Sequence, residues 1–176
     1  MRRRIVLLLL PAVVAATAWG VFPGSPQPAR ASAIRAEDVA SIRVEKSARR
    51  LLLLDASGTV LRRYDGIQLG DASQGHKQFE GDERTPEGRY VIDHGNPDSA
   101  YHLSLHISYP NAADRTFAES RGRSPGGQIF IHGQPNWIDI GRVPGDWTDG
   151  CIALSNEEIE ELWTLVGDGT PIEIVS

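Results

Sequence analysis

Cys151 is the only cysteine among 176 residues, and it ends a polar, glycine-bearing stretch, Gly145-Asp146-Trp147-Thr148-Asp149-Gly150. A thiol becomes a strong nucleophile when a neighbouring imidazole takes its proton. The sequence offers such a partner in Ile129-Phe130-Ile131-His132-Gly133, which reads as a strand delivering a histidine to a glycine turn. The 19 residues from His132 to Cys151 are enough for a loop to return beside that strand. Gly150 frees the backbone around the sulfur, so that N–H groups of Asp149, Gly150 and Cys151 can face a developing oxyanion. The Gly133 carbonyl is a natural partner for the other imidazole nitrogen and would fix its tautomer. The competing reading is that a lone cysteine is a small buried apolar residue.

Chain order removes several chemistries. A papain-like protease has its histidine after its cysteine, yet His132 is the last of the five histidines. A sortase has the order His then Cys but adds an arginine after the cysteine, and no Lys or Arg follows Arg142. A single cysteine forms no internal disulfide and no cysteine-rich zinc site. His102 and His106 have the even spacing that shares one face of a strand. No HExxH or comparable cluster accompanies them, so no metal or cofactor is expected, and they read as polar residues of a strand surface or pocket wall.

These side chains must be held by a mainly β domain. Ser41–Lys46 alternates with period two. Arg49–Asp55 and Val60–Tyr64 flank the turn cluster Ala56-Ser57-Gly58-Thr59 and read as a hairpin. Further strands are predicted at Arg89–Asp93, His102–Ser108, Gln128–His132, Cys151–Leu154 and Ile172–Val175. Glycine and proline punctuate throughout, which favours a β-sandwich or barrel-like sheet with a few short helices. One helix is well marked near the C-terminus. Ser155-Asn156-Glu157-Glu158 is a capping box, Ile159, Leu162, Trp163 and Val166 recur at helical spacing, and Gly167-Asp168-Gly169 stops it. A weaker helix is expected within Arg115–Arg121.

The chain opens with Arg2-Arg3-Arg4 and an apolar run from Ile5 to Ala18. That is the pattern of a secretory signal, with Ala31-Ser32-Ala33 as a cleavage site. Counting Trp19 to Phe22, the run approaches the roughly 18–20 residues of a single N-terminal membrane anchor. Residues 1–33 are therefore read as signal or anchor plus a Pro/Ala-rich linker, and residues 34–176 as the exported domain, in the periplasm or cell envelope and held at the inner membrane if the leader is kept. At 40% hydrophobic and 23% charged, the chain is neither wholly disordered nor a multi-span membrane protein. The exported part has 14 basic and 23 acidic residues, a formal charge of −9, which excludes bulk attraction to nucleic acid or anionic lipid.

Taken in order, His132-Gly133 and Thr148-Asp149-Gly150-Cys151-Ile152-Ala153-Leu154 resemble the signature of the L,D-transpeptidases, the YkuD-type catalytic domains. Upstream, Gly81-Asp82-Glu83-Arg84-Thr85-Pro86-Glu87-Gly88-Arg89-Tyr90, Ile107-Ser108-Tyr109-Pro110-Asn111 and Gly126-Gly127-Gln128-Ile129 are similar to the same family, so the resemblance runs from about Ser41 to Val175. It implies a YkuD-like β-sandwich, Cys151 as nucleophile, His132 as base, and a peptidoglycan stem peptide as substrate. The acceptor would be a stem-peptide amine or a lysine of a wall-linked lipoprotein. A hydrolase on the same site and an idle wall-binding module are the alternatives. Trp147 is placed as a groove wall or a packed loop residue. Tyr109 and Asn111 line the pocket or merely end a strand, and Arg84 meets a stem carboxylate or lies in an exposed turn. Two departures stand out. Many members have a histidine two residues before the cysteine and an arginine two residues after it, where this chain has Asp149 and Ala153. Asp149 is expected to raise the thiol pKa, with Asp146 and the glutamates after Ser155 pushing the same way.

Overall fold

The computed structural model of the protein describes residues 33–138 and 140–176, so the expectation of a signal or anchor over the N-terminal segment falls outside the described residues. Eight strands are formed: β1 (Ser41–Glu45), β2 (Arg50–Leu54), β3 (Val60–Asp65), β4 (Gly88–Ser99), β5 (His102–Ile107), β6 (Ile129–His132), β7 (Ile152–Ala153) and β8 (Pro171–Val175). Two helices, α1 (Ala112–Glu119) and α2 (Asn156–Leu165), and a short 3-10 turn at Ala36–Asp38 complete the elements. No helix among the described residues is long and apolar enough to cross a membrane.

The strands join in one mixed sheet of order β3-β2-β1-β8-β4-β5-β6-β7. β8, last in the chain, runs parallel to β1 and antiparallel to β4, at the middle of the sheet. β4 is the hinge between halves: Gly88–Val91 pairs with β8, and Ile92–Ser99 pairs with β5. The two ends of the order are then tied by the segment after β3. Gln68 bridges Ala153 and Gly70 bridges Thr148, which gives the sheet its barrel-like closure.

Alternation fills the core as period two requires. Ile42 and Val44 of β1 face inward beside Ile172 and Ile174 of β8, with which they are in register. Ile92, Leu105, Ile107, Ile129, Ile131 and Ile152 continue this layer through the second half. α2 closes it with Ile159, Leu162 and Leu165. Ser155 caps α2, its hydroxyl accepting from Glu158 N at 3.2 Å while the Glu158 carboxylate accepts from Ser155 N at 2.9 Å.

Candidate active site

The distance in sequence between His132 and Cys151 is closed by a parallel pairing. β7 returns beside β6 with Ile131 opposite Ile152 and His132 opposite Ala153. Ile129 and Ile131 point into the core, so Phe130 and His132 take the outer face, and Cys151, just before β7, comes alongside Phe130. The Phe130 N–H meets Cys151 Sγ at 3.4 Å, and the thiol faces the Gln128 carbonyl at 3.6 Å. His132 and Cys151 line one cavity of about 300 Å³, together with Tyr101, Gly127, Gln128, Ile129, Trp147, Thr148 and Asp149.

His132 is buried, and its Nδ1 donates to the Gly133 carbonyl at 2.7 Å. That bond leaves the lone pair on Nε2. The Tyr101 ring covers the imidazole at 4.7 Å between centroids, and Trp147 stands 5.6 Å away, so two aromatic rings screen the base from water. Burial pushes the His132 pKa down to about 4, against the pull of the Gly133 bond. Burial likewise pushes the Cys151 thiol up to about 11; the Phe130 N–H and Lys77 oppose the rise, and Asp149 adds to it. The resting pair is a neutral thiol beside a neutral imidazole.

The turn carrying the thiol is built by Thr148. Its buried hydroxyl donates to the Cys151 carbonyl at 2.8 Å and accepts from Gly150 N at 3.3 Å. Gly150 has φ +118°, and a Cβ there would meet the Arg84 carbonyl oxygen at 2.4 Å. The Gly150 amide is thus already engaged, whereas the N–H groups of Asp149 and Cys151 have no hydrogen-bond partner among the described residues. The approach to the turn is fixed by Arg49, which grips Asp146 through Nη1–Oδ1 at 2.9 Å and Nη2–Oδ2 at 2.6 Å. Asp146 Oδ1 also accepts from Leu69 N, and the Leu69 carbonyl accepts from Trp147 N at 3.1 Å.

That ion pair corrects one electrostatic expectation. Asp146 is neutralised by Arg49 and does not contribute to the thiol's shift, nor do the glutamates of α2; Asp149 alone acts in that sense. The remaining sequence-selected residues serve elsewhere. Tyr109 is buried against Tyr90 and gives its hydroxyl to the Pro125 carbonyl at 3.0 Å. Asn111 caps α1, accepting from Ala113 N and Asp114 N. Neither is a wall of the thiol cavity, because core packing and helix capping use both. Arg84 touches the site through its backbone at Gly150, while its guanidinium lies beside Gly75. Ala153 is fully buried, in register with His132. Tyr101, Gln128 and Thr148 are cavity residues not selected from sequence as site residues; Thr148 has a signal in its place in the turn before the cysteine and Gln128 in its family-like segment, whereas Tyr101 has none.

The family model of the L,D-transpeptidase catalytic domain, YkuD, matches residues 40–174. YafK of Escherichia coli K12, whose name gives an L,D-transpeptidase assignment only provisionally, is 30% identical over 129 residues, covering 71% of this chain and 46% of its own length. Among solved structures, the helical cell shape determining protein Pgp2 of Campylobacter jejuni is similar with 29% identity and a TM-score of 0.62, over 77% of this chain and 47% of that one. Bd1075 of Bdellovibrio bacteriovorus has 26% identity and a TM-score of 0.56, over 80% and 49%. The chain thus spans about half the length of the proteins it matches.

Proposed function

The chain belongs to the YkuD family of L,D-transpeptidase catalytic domains, and from that premise we propose that it is a cysteine acyltransferase acting on peptidoglycan stem peptides outside the cytoplasm. The observation that supports this most is the single cavity shared by His132 and Cys151, with His132 held in one tautomer by the Gly133 carbonyl.

In this reading His132 Nε2 takes the proton of Cys151 Sγ as the sulfur attacks the carbonyl joining the third residue, a diamino acid, to the terminal D-alanine. Burial disfavours both the imidazolium and the thiolate, so a preformed ion pair is disfavoured at rest. Proton transfer therefore accompanies attack rather than preceding it. The oxyanion is received by the free N–H groups of Cys151 and Asp149; one such donor typically contributes about 3 kcal/mol. His132 returns the proton to the departing amine, D-alanine leaves, and a thioester remains. An amine of a neighbouring stem, or of a lipoprotein lysine, then attacks the thioester and releases the thiol. Hydrolysis differs only in that water takes the place of the amine. Either product alters the wall, and a role in cell-wall organisation and cell shape follows, in keeping with Pgp2 being a helical cell shape determining protein. Such a role requires export, which residues 1–33 would supply.

Incubation with purified tetrapeptide muropeptides tests the proposal. Cross-linked dimers by mass indicate transfer, and tripeptide monomers with free D-alanine indicate hydrolysis. Absence of both, with no carbapenem adduct on Cys151, would overturn the enzyme in favour of a binding module. Cys151→Ala should lower turnover by roughly three orders of magnitude or more while leaving the melting temperature nearly unchanged; surviving activity would remove Cys151 from the mechanism.

A further inference from the structure

Away from the thiol cavity, Asp93 and His94 of β4 and His106 of β5 bring three metal-binding side chains together. Asp93 and His94 are adjacent in sequence, and a regular strand would send them to opposite faces. Here β4 slips by one residue against β5: Ile92 pairs with Ile107, but His94 pairs with His106. The extra residue breaks the alternation, as a bulge does, and both side chains turn toward His106. Asp93 Oδ1 lies 2.6 Å from His106 Nδ1 and 3.0 Å from His94 Nδ1. One donor atom from each of the three residues falls within 4.8 Å of the others. The two imidazoles stack at 4.6 Å and 21°, and Phe130 stands edge-on to them at 4.7 Å from His106 and 6.1 Å from His94.

We propose that Asp93, His94 and His106 form a binding site for a divalent transition-metal ion of the zinc type. Two imidazoles and one carboxylate are the donor set of zinc sites that use three protein ligands and leave a position open for water. Imidazole-rich sets select zinc, copper or nickel over magnesium and calcium. Ligands on a tetrahedral zinc stand about 3.4 Å apart, so the two Asp93–imidazole separations of 2.6 and 3.0 Å must widen a little to admit the ion, with all three donor atoms starting within 4.8 Å of one another. Access and anchoring are both provided. The side chains of Asp93 and His94 are 40% and 54% exposed, whereas His106 is 12% exposed and fixed against Phe130. The site is independent of the acyl-transfer reading, since none of its three residues lines the thiol cavity. Phe130 alone joins the two, its ring against the histidines and its amide on Cys151 Sγ.

Calorimetric titration of the full chain with zinc chloride tests this, in a Cys151→Ala background that removes the competing thiol. One ion per chain is expected, with affinity weakened by roughly tenfold or more in His94→Gln and His106→Gln. His94 and Asp93 are surface residues, so His94→Gln and Asp93→Asn keep the test open if His106→Gln fails to fold. Absence of saturable binding, or an affinity unchanged in both His94→Gln and Asp93→Asn, would overturn the site and leave a carboxylate bridging two imidazole N–H groups.

Discussion

At the scale of the residue, burial sets the behaviour of the proposed catalytic pair. His132 is held near 4 and Cys151 near 11, so neither carries charge across the physiological range. Free-enzyme alkylation of Cys151 by iodoacetamide should therefore climb about tenfold per pH unit from pH 7 to 10, following the thiolate fraction. A plateau reached below pH 8 would instead reveal a preformed ion pair. Asp149→Asn removes the one carboxylate that raises the thiol pKa and should speed alkylation a fewfold at fixed pH. The same shifts act on stability. Between pH 6.5 and about 4 the unfolded chain takes up a proton that the folded His132 refuses, so stability falls as pH drops through that window, by roughly 3 kcal/mol at full extent. Above pH 9 the unfolded chain releases a thiol proton that the folded one keeps until about 11, so stability falls again as pH rises. The acid loss should be shallower in His132→Asn, read from melting temperatures across pH 4–7.

The element that matters most to the site is the four-residue turn Thr148–Cys151, where one hydroxyl and one glycine hold the thiol in place. Gly150→Ala drives a Cβ into the Arg84 carbonyl at a φ that L-residues avoid. Because the obstacle is backbone rather than a movable side chain, a loss of about 3 kcal/mol is expected, seen as a lower denaturation midpoint together with lost carbapenem acylation. Such a turn is legible in sequence because its signals are local: the glycine, the hydroxyl two residues before it, and the cysteine. The Ser155 capping box was legible for the same reason. α1 was only half legible; it starts at Ala112, before the expected Arg115, because Asn111 and Asp114 cap each other there. β4 was read only to Asp93 yet runs to Ser99, because Gly95, Asn96 and Pro97 carry no strand signal and it is the pairing of Gly95, Asn96 and Ser99 with β5 that extends the strand. Tyr101 shows how a site residue escapes notice. It lies in the tight turn between β4 and β5, with no local pattern to distinguish it, and only the fold carries its ring over His132.

Across the whole molecule, the pairing of distant segments is what local pattern could not supply. The sequence marks Ile172–Val175 as a strand, but nothing in those residues says that β8 separates β1 from β4, about 130 and 80 residues upstream. Position in the sheet then decides their importance. An edge strand can fray at small cost, whereas β8 is bonded on both sides and buries Ile172 and Ile174 almost completely. Burying each such isoleucine is worth about 1.5–3 kcal/mol, and losing β8 also exposes the inner faces of β1 and β4. The total rivals the roughly 5–15 kcal/mol that holds a domain of this size together. A chain ending at Gly169 should therefore lose its cooperative thermal transition and the dispersion of its amide spectrum, rather than melt a few degrees lower. The consequence extends to the chemistry: β6 carries His132 and β7 directly follows Cys151 at the end of the sheet beyond β4, and they are aligned only while β4 is anchored by β8. A truncated chain that still melted cooperatively and still acylated Cys151 would show that β1 and β4 can pair directly, and that the C-terminal strand is dispensable to the site.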